Sequence, residues 1–280
     1  MNDGNKIIAQ IRDIAVLPQV VHQVIDLTSN PHATAKELEA VISIDPGMSS
    51  RVLNTVNSAY YSLPRKIASI KEAVVFLGFQ TIRHIATTAG MFELFLGKAD
   101  RENVRRRQWW RHSIDVGLCA RLIASQSHEA SPEEAYTAGL LHDIGKPLLD
   151  RYGGEDYDLV EQLVAQGVPT LPAEQEIFTC EHAELGRLVS LHWRFPENLA
   201  NAIGQHHEDD PAALEEPWLT AVTQLADWTA HLVRKQIEEE EPAPPKWTLE
   251  ILKLTPNQLQ AVIIGCEAEL SESPLQGLAA

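Results

Sequence analysis

Two adjacent residues set the chemistry this chain can do: His142 and Asp143, in the run Gly139-Leu140-Leu141-His142-Asp143-Ile144-Gly145-Lys146. An imidazole beside a carboxylate suits a borderline metal such as iron, manganese, nickel or zinc. Neighbours on a helix point about 100° apart, so both side chains can reach an ion above one helix, with Lys146 one turn along. A His–Asp pair on its own also fits a capping or hydrogen-bonded contact. Further residues of the same kind bear on the choice. His112 opens an amphipathic helix carrying Ile114, Leu118, Leu122 and Ile123, and His182 begins another, His182-Ala183-Glu184-Leu185-Gly186. His206 and His207 are adjacent, and Asp227 lies in Gln224-Leu225-Ala226-Asp227-Trp228. Each sits beside apolar helical positions, where an ionisable group is costly unless it is neutral, bonded or bound to metal.

Helices must carry these residues. Val20, Val21, Ile25 and Leu27 recur at helical spacing, and Thr34 is placed to cap a helix opening Ala35-Lys36-Glu37, with Leu38, Val41 and Ile42 as its apolar stripe. Asp45-Pro46-Gly47 interrupts, and a proline fits the first turn of the next helix, which carries Val52, Leu53 and Val56. Gly78 marks a helix end before another begins near Thr81. No extended alternation of period two occurs, so the expected fold is all-α. Its expected parts are an N-terminal helical lobe (1–97), a second helical lobe (98–235) entered through the Arg-rich stretch 98–107, an acidic Pro-rich linker (236–248) and a C-terminal helical segment with a tail (249–280), helical from Leu249 to Leu270. There is no internal repeat.

Hydrophobic residues make up 44% of the 280, enough for a substantial core. Lys and Arg number 23 against 39 Asp and Glu, a net charge of 23 − 39 = −16, which repels nucleic acids and anionic membranes. Neither is an expected partner. Cys119, Cys180 and Cys266 stand far apart with no CxxC, which reads as buried thiols in a reducing compartment. No stretch is long and apolar enough to span a bilayer, so a cytoplasmic location is expected. Arg101, Arg105, Arg106, Arg107 and Arg111 cluster before His112; they read either as a phosphate or acidic-partner contact or as a solvated face pairing with the chain's own carboxylates. Trp109 and Trp110 read either as a base-stacking pair or as an anchor between lobes, and His231 as exposed or as a partner of Asp227.

The order His112, His142-Asp143, Asp227 resembles the H…HD…D pattern of the HD phosphohydrolase superfamily. His182, His206 and His207 look like the additional ligands of its HD-GYP branch, which hydrolyses cyclic dinucleotides. Leu17-Pro18, Asp45-Pro46-Gly47, Asn57-Ser58-Ala59-Tyr60, Ala73 to Gly78, Trp110-Arg111-His112-Ser113 and His192-Trp193-Arg194-Phe195-Pro196 together resemble the HDOD (HD-related output domain) family over residues 15 to 235. The resemblance implies that the second lobe is an HD-type helical bundle. One divalent ion (Fe, Mn, Ni or Zn) would take His112, His142, Asp143 and Asp227, and a second would take His182, His206 and His207 with Asp143 as bridge. Gln108 stands where three-metal members carry an acidic ligand, and Glu208-Asp209-Asp210-Pro211 replaces the Gly-Tyr-Pro loop. The function implied first is a bacterial signalling or regulatory module that binds a protein partner or a nucleotide. The alternative is a metal-dependent phosphohydrolase acting on a cyclic dinucleotide or another phosphoester, with Asp143 and Lys146 as its catalytic residues.

Overall fold

Local chemistry begins the helices of the N-terminal part. The computed structural model describes residues 18–30, 32–61, 63–96, 104–126, 131–153, 156–214, 217–234, 244 and 246–275. Helix α1 spans Gln19–Ser29. Helix α2, Ala35–Ile42, opens on a reciprocal cap: Thr34 Oγ1 accepts the Glu37 N–H at 3.3 Å, and the Glu37 carboxylate accepts the Thr34 N–H at 2.8 Å. Helix α3, Pro46–Val56, has its proline at the start, where no N–H is needed, and Asp45 accepts the Met48 N–H at 3.0 Å. Helix α4, Ile70–Leu96, is broken at Gly78, whose φ of 81° and ψ of 166° belong to a region that glycine alone enters freely. The break is where the sequence puts it.

The chain continues through α5 (Val104–Ser125), α6 (Pro132–Leu141), α7 (Gly145–Tyr152), α8 (Asp156–Ala165) and α9 (Thr170–Phe178). Then come α10 (His182–His192), α11 (Glu197–Gly204), α12 (Pro217–Val233), α13 (Lys246–Ile251) and α14 (Pro256–Glu272). No strand occurs among the described residues, so the fold is all-α as expected.

Among the described residues two compact units result: Pro18 to Ile114 with Leu270 to Leu275, and Asp115–Glu269. In the first, α1, α2 and α3 pack on α4. Val21, Leu38, Ile42, Met48, Val52 and Ile82 are fully buried there, each removal from water contributing about 1.5–3 kcal/mol. Trp110 is buried in the same unit, 5.0 Å from the Phe95 ring and edge-on to Phe92. In the second unit, α6 packs against α11 and α12, α10 against α7 and α11, and α8 against α9. Buried Asp115 accepts from Nε and Nη2 of Arg234 at 2.7 and 2.8 Å, fastening α5 to the end of α12. Cys119, Cys180 and Cys266 are buried free thiols.

Several boundaries differ from the sequence expectation. His112 does not open a helix; α5 begins at Val104, because the arginines before it are good helix formers despite their polarity. The segment from Leu249 to Leu270 is two helices, divided where Lys253 takes a positive φ of 53° ahead of Pro256. Of the stretch 236–248, Lys246 to Thr248 form the start of α13 with Trp247 and Thr248 buried, while residues 236–243 and 245 lie outside the described residues.

Candidate metal centre

Helix α6 stops at Leu141, and His142, Asp143 and Ile144 form a turn before α7 starts at Gly145. The pair is therefore not on one continuous helix, as the spacing alone implied. Gly145 explains the tight junction. A Cβ on it would run into the backbone of His182, so the start of α10 is pressed against the turn. This contact brings His182 to Asp143.

Three of the imidazoles have their orientation fixed by the other ring nitrogen. His142 Nδ1 donates to the Gly139 carbonyl at 2.8 Å, and His206 Nδ1 to the Ile203 carbonyl at 2.7 Å. His182 Nδ1 donates to Glu174 Oε2 at 2.6 Å. With the proton spent on Nδ1, Nε2 is left as the lone-pair nitrogen, the arrangement by which metal-binding histidines are aimed. Those atoms converge on Asp143. His182 Nε2 lies 3.2 Å and His206 Nε2 3.7 Å from Oδ1, His142 Nε2 lies 3.5 Å from Oδ2, and His207 Nε2 stands 3.1 Å from His182 Nε2. The same Nε2 of His142 lies 3.7 Å from Asp227 Oδ1, which is 3.4 Å from Nε2 of His231.

The donor set fits a cation. One ligand atom from each of Asp143, His182, His206 and His207 lies within 4.8 Å of every other. Bonds of about 2.1 Å to a tetrahedral ion put its ligands about 3.4 Å apart, close to the 3.1, 3.2 and 3.7 Å found. Buried His206 Nε2 and Asp143 Oδ1 have no hydrogen-bond partner among the described residues, a costly state for polar atoms facing one another. His142, Asp143, His182 and His206 are each at most 1% exposed, whereas His207 is exposed.

Electrostatics keep the ligands in the state a metal needs. Burial opposes charge on Asp143, but His142, Lys146 and His182 outweigh it and hold its carboxyl well below the usual range. Burial, then the neighbouring His142 and His182, pushes His206 down to about 3. His182 is the exception. Burial and Lys146 act to lower it, yet Glu174 and Asp143 prevail and raise it, so without a metal a proton is its substitute cation. Lys146 Nζ donates to Asp143 Oδ2 at 2.6 Å.

His112 is half-buried on α5, in the first unit's share of that helix. The arginines do not gather on one face: Arg111 is exposed, Arg105 and Arg107 are half-buried and Arg106 is buried, while Arg101 lies outside the described residues. The carboxylates after His207 are turned largely to their own loop. Glu208 accepts the Asp209 and Asp210 N–H groups at 3.0 Å each, and Asp210 accepts the Ala212 N–H at 2.9 Å. Sequence reasoning missed Glu174, which is fully buried. Lying eight residues before His182 in a loop-joined helix, it carries no spacing signal.

The family model for the HDOD domain matches residues 14–209. The chain belongs to the HDOD family. An HDOD protein of unknown function from Geobacter sulfurreducens superposes over 99% of both chains, with a TM-score of 0.77 at 23% identity. A Shewanella amazonensis SB2B protein, provisionally named a phosphohydrolase, is similar over 98% of both chains, with a TM-score of 0.75 at 24% identity. At this identity the likeness is one of fold. A protein of Treponema pallidum (strain Nichols) is 24% identical over 234 residues, covering 83% of this chain. This HDOD chain spans 45% of that relative's length. No helix among the described residues is long and apolar enough to cross a membrane.

Proposed function

We propose that this chain is a bacterial regulatory HDOD module that acts inside the cell by binding a signalling protein or a nucleotide, its second unit organised around a metal site. One divalent ion would be held by His182, His206, His207 and Asp143. A second would be held by His142 and Asp227, sharing Asp143, whose two oxygens face the two groups. A bound ion would supply Lewis acidity and a fixed positive charge.

One observation carries the choice of module over enzyme: the burial of His142, Asp143, His182 and His206. A structural site is closed by protein side chains, whereas a catalytic one keeps a place open to water or substrate. The charge of −16 adds repulsion toward a phosphodiester. The test is turnover by the metal-reconstituted protein on cyclic di-GMP and on a chromogenic phosphodiester. Negligible hydrolysis by protein that demonstrably holds metal is the expected result. Turnover that Asp143→Ala abolishes would establish the enzyme reading.

That second reading is a metal-dependent phosphohydrolase with Asp143 and Lys146 at its centre. The observation in its favour is the complete set of His and Asp ligands together with an ammonium beside the bridging carboxylate. Positive charge there would stabilise a developing anion.

A further inference from the structure

Glu174 joins the metal cluster to a part of the fold that supplies no ligand. Both of its oxygens have defined partners. Oε2 accepts the His182 ring Nδ1–H at 2.6 Å and the His182 backbone N–H at 2.8 Å, and Oε1 accepts the Tyr157 hydroxyl at 2.9 Å. Tyr157 is on α8 and Glu174 on α9, two helices that pack on each other as a hairpin. The Tyr157 ring also lies 6.0 Å from Phe178, the last residue of α9. Thr179 then takes a left-handed φ of 57°, and α10 begins within a few residues at His182 itself. A buried carboxylate thus links the hairpin to the cluster.

We propose that Glu174 couples metal occupancy of the cluster to the order of the α8–α9 hairpin, making the hairpin the element that passes on the state of the site. The inference rests on the metal reading above. An ion on His182 Nε2 withdraws electron density from the ring, and Nδ1–H becomes a stronger donor to the Glu174 carboxylate. Glu174 is fully buried, so its charge depends on these partners. Strengthening the His182 bond therefore strengthens the hold on α9, and on α8 through Tyr157. The coupling is reciprocal: whatever metal binding does to the hairpin, hairpin docking must do to metal affinity. The outer side of α8 exposes Leu159 and Val164, so a change in hairpin order alters an accessible surface.

The test is hydrogen exchange of the whole chain, followed by mass spectrometry with and without manganese(II), beside a manganese titration. In the wild type, manganese should slow amide exchange across Asp156–Phe178 about tenfold, within the usual range of coupling between sites, and leave α1 to α3 unchanged. Glu174→Gln should bind manganese about 10–100-fold more weakly. At manganese levels that fill its site, the hairpin slowing should be lost. A merely structural role would speed exchange equally with and without metal. Tyr157→Phe, a milder change should Glu174→Gln fold poorly, should give a partial loss of slowing. Unchanged hairpin exchange in manganese-filled wild type, or full slowing in filled Glu174→Gln, overturns the coupling. A wild type that binds no manganese or other divalent ion overturns the metal reading itself, a separate result.

Discussion

Lys146 sets its ammonium 2.6 Å from Oδ2 of Asp143, while the other oxygen of that carboxylate is left to the histidines. The pair spans the turn between α6 and α7, so it holds the Asp143 carboxylate in place. Losing one partner of a largely buried pair strands the other charge. Lys146→Met is expected to lower the unfolding free energy by about 3 kcal/mol, the low end for a buried pair because Lys146 keeps some exposure. Urea unfolding of metal-free protein measures it, and an unchanged midpoint would mean that the pair contributes nothing.

The metal-free protein should lose stability on acidification from pH 6.5 toward 3. His206 is held neutral in the fold down to about 3, whereas an unfolded histidine takes a proton near 6.5. Between those values the unfolded chain binds more protons, so stability falls as pH falls, by about 1.4 kcal/mol per unit for this group. Asp143 and Glu174 have depressed values, so their contribution holds above about 4 and is lost as pH drops through their folded values. His182 acts oppositely. Its raised value gives stability that is complete below about 6.5 and lost as pH rises through the folded value. Thermal melts across pH 3 to 9 should therefore give a dome. A flat profile below pH 6 would show that His206 is not held neutral.

Gly145→Ala should damage the site without touching a ligand. The added methyl meets the His182 backbone, which cannot rotate away. Overpacking of this kind costs about 1–3 kcal/mol, and the displaced α10 should weaken metal binding. A variant with wild-type stability and metal affinity would show that α7 and α10 are not in this contact.

Asp115→Asn tests the fastening between α5 and α12. It strands Arg234 beside a neutral amide and should cost about 3 kcal/mol. Metal content should be unaffected, because neither residue belongs to the cluster. Loss of metal without loss of stability would contradict that separation.

What the sequence revealed was what is local. The Thr34 cap, Pro46 in a first turn and the Gly78 break each depend on neighbours within a few residues, and each is found where the pattern put it. That His142, Asp143, His182 and His206 share a reason to be buried was legible as well, since His and Asp beside apolar helical positions need a partner. The turn at residues 142–144 was not legible, because helical spacing does not register a break between two helices that both continue the apolar pattern. Glu174 and Asp115 were missed for a different reason. Their partners are supplied by tertiary packing, and Arg234 lies 119 residues from Asp115.

Metal content is the measurement that decides whether Asp143 and the histidines around it form a metal site. Protein reconstituted with iron, manganese, nickel or zinc, then freed of excess ion, is assayed by mass spectrometry beside Asp143→Ala. At least one ion per wild-type chain is expected, and a content near zero in Asp143→Ala. Wild-type protein that holds no ion after every reconstitution, or an Asp143→Ala variant that keeps the full complement, would contradict the metal site.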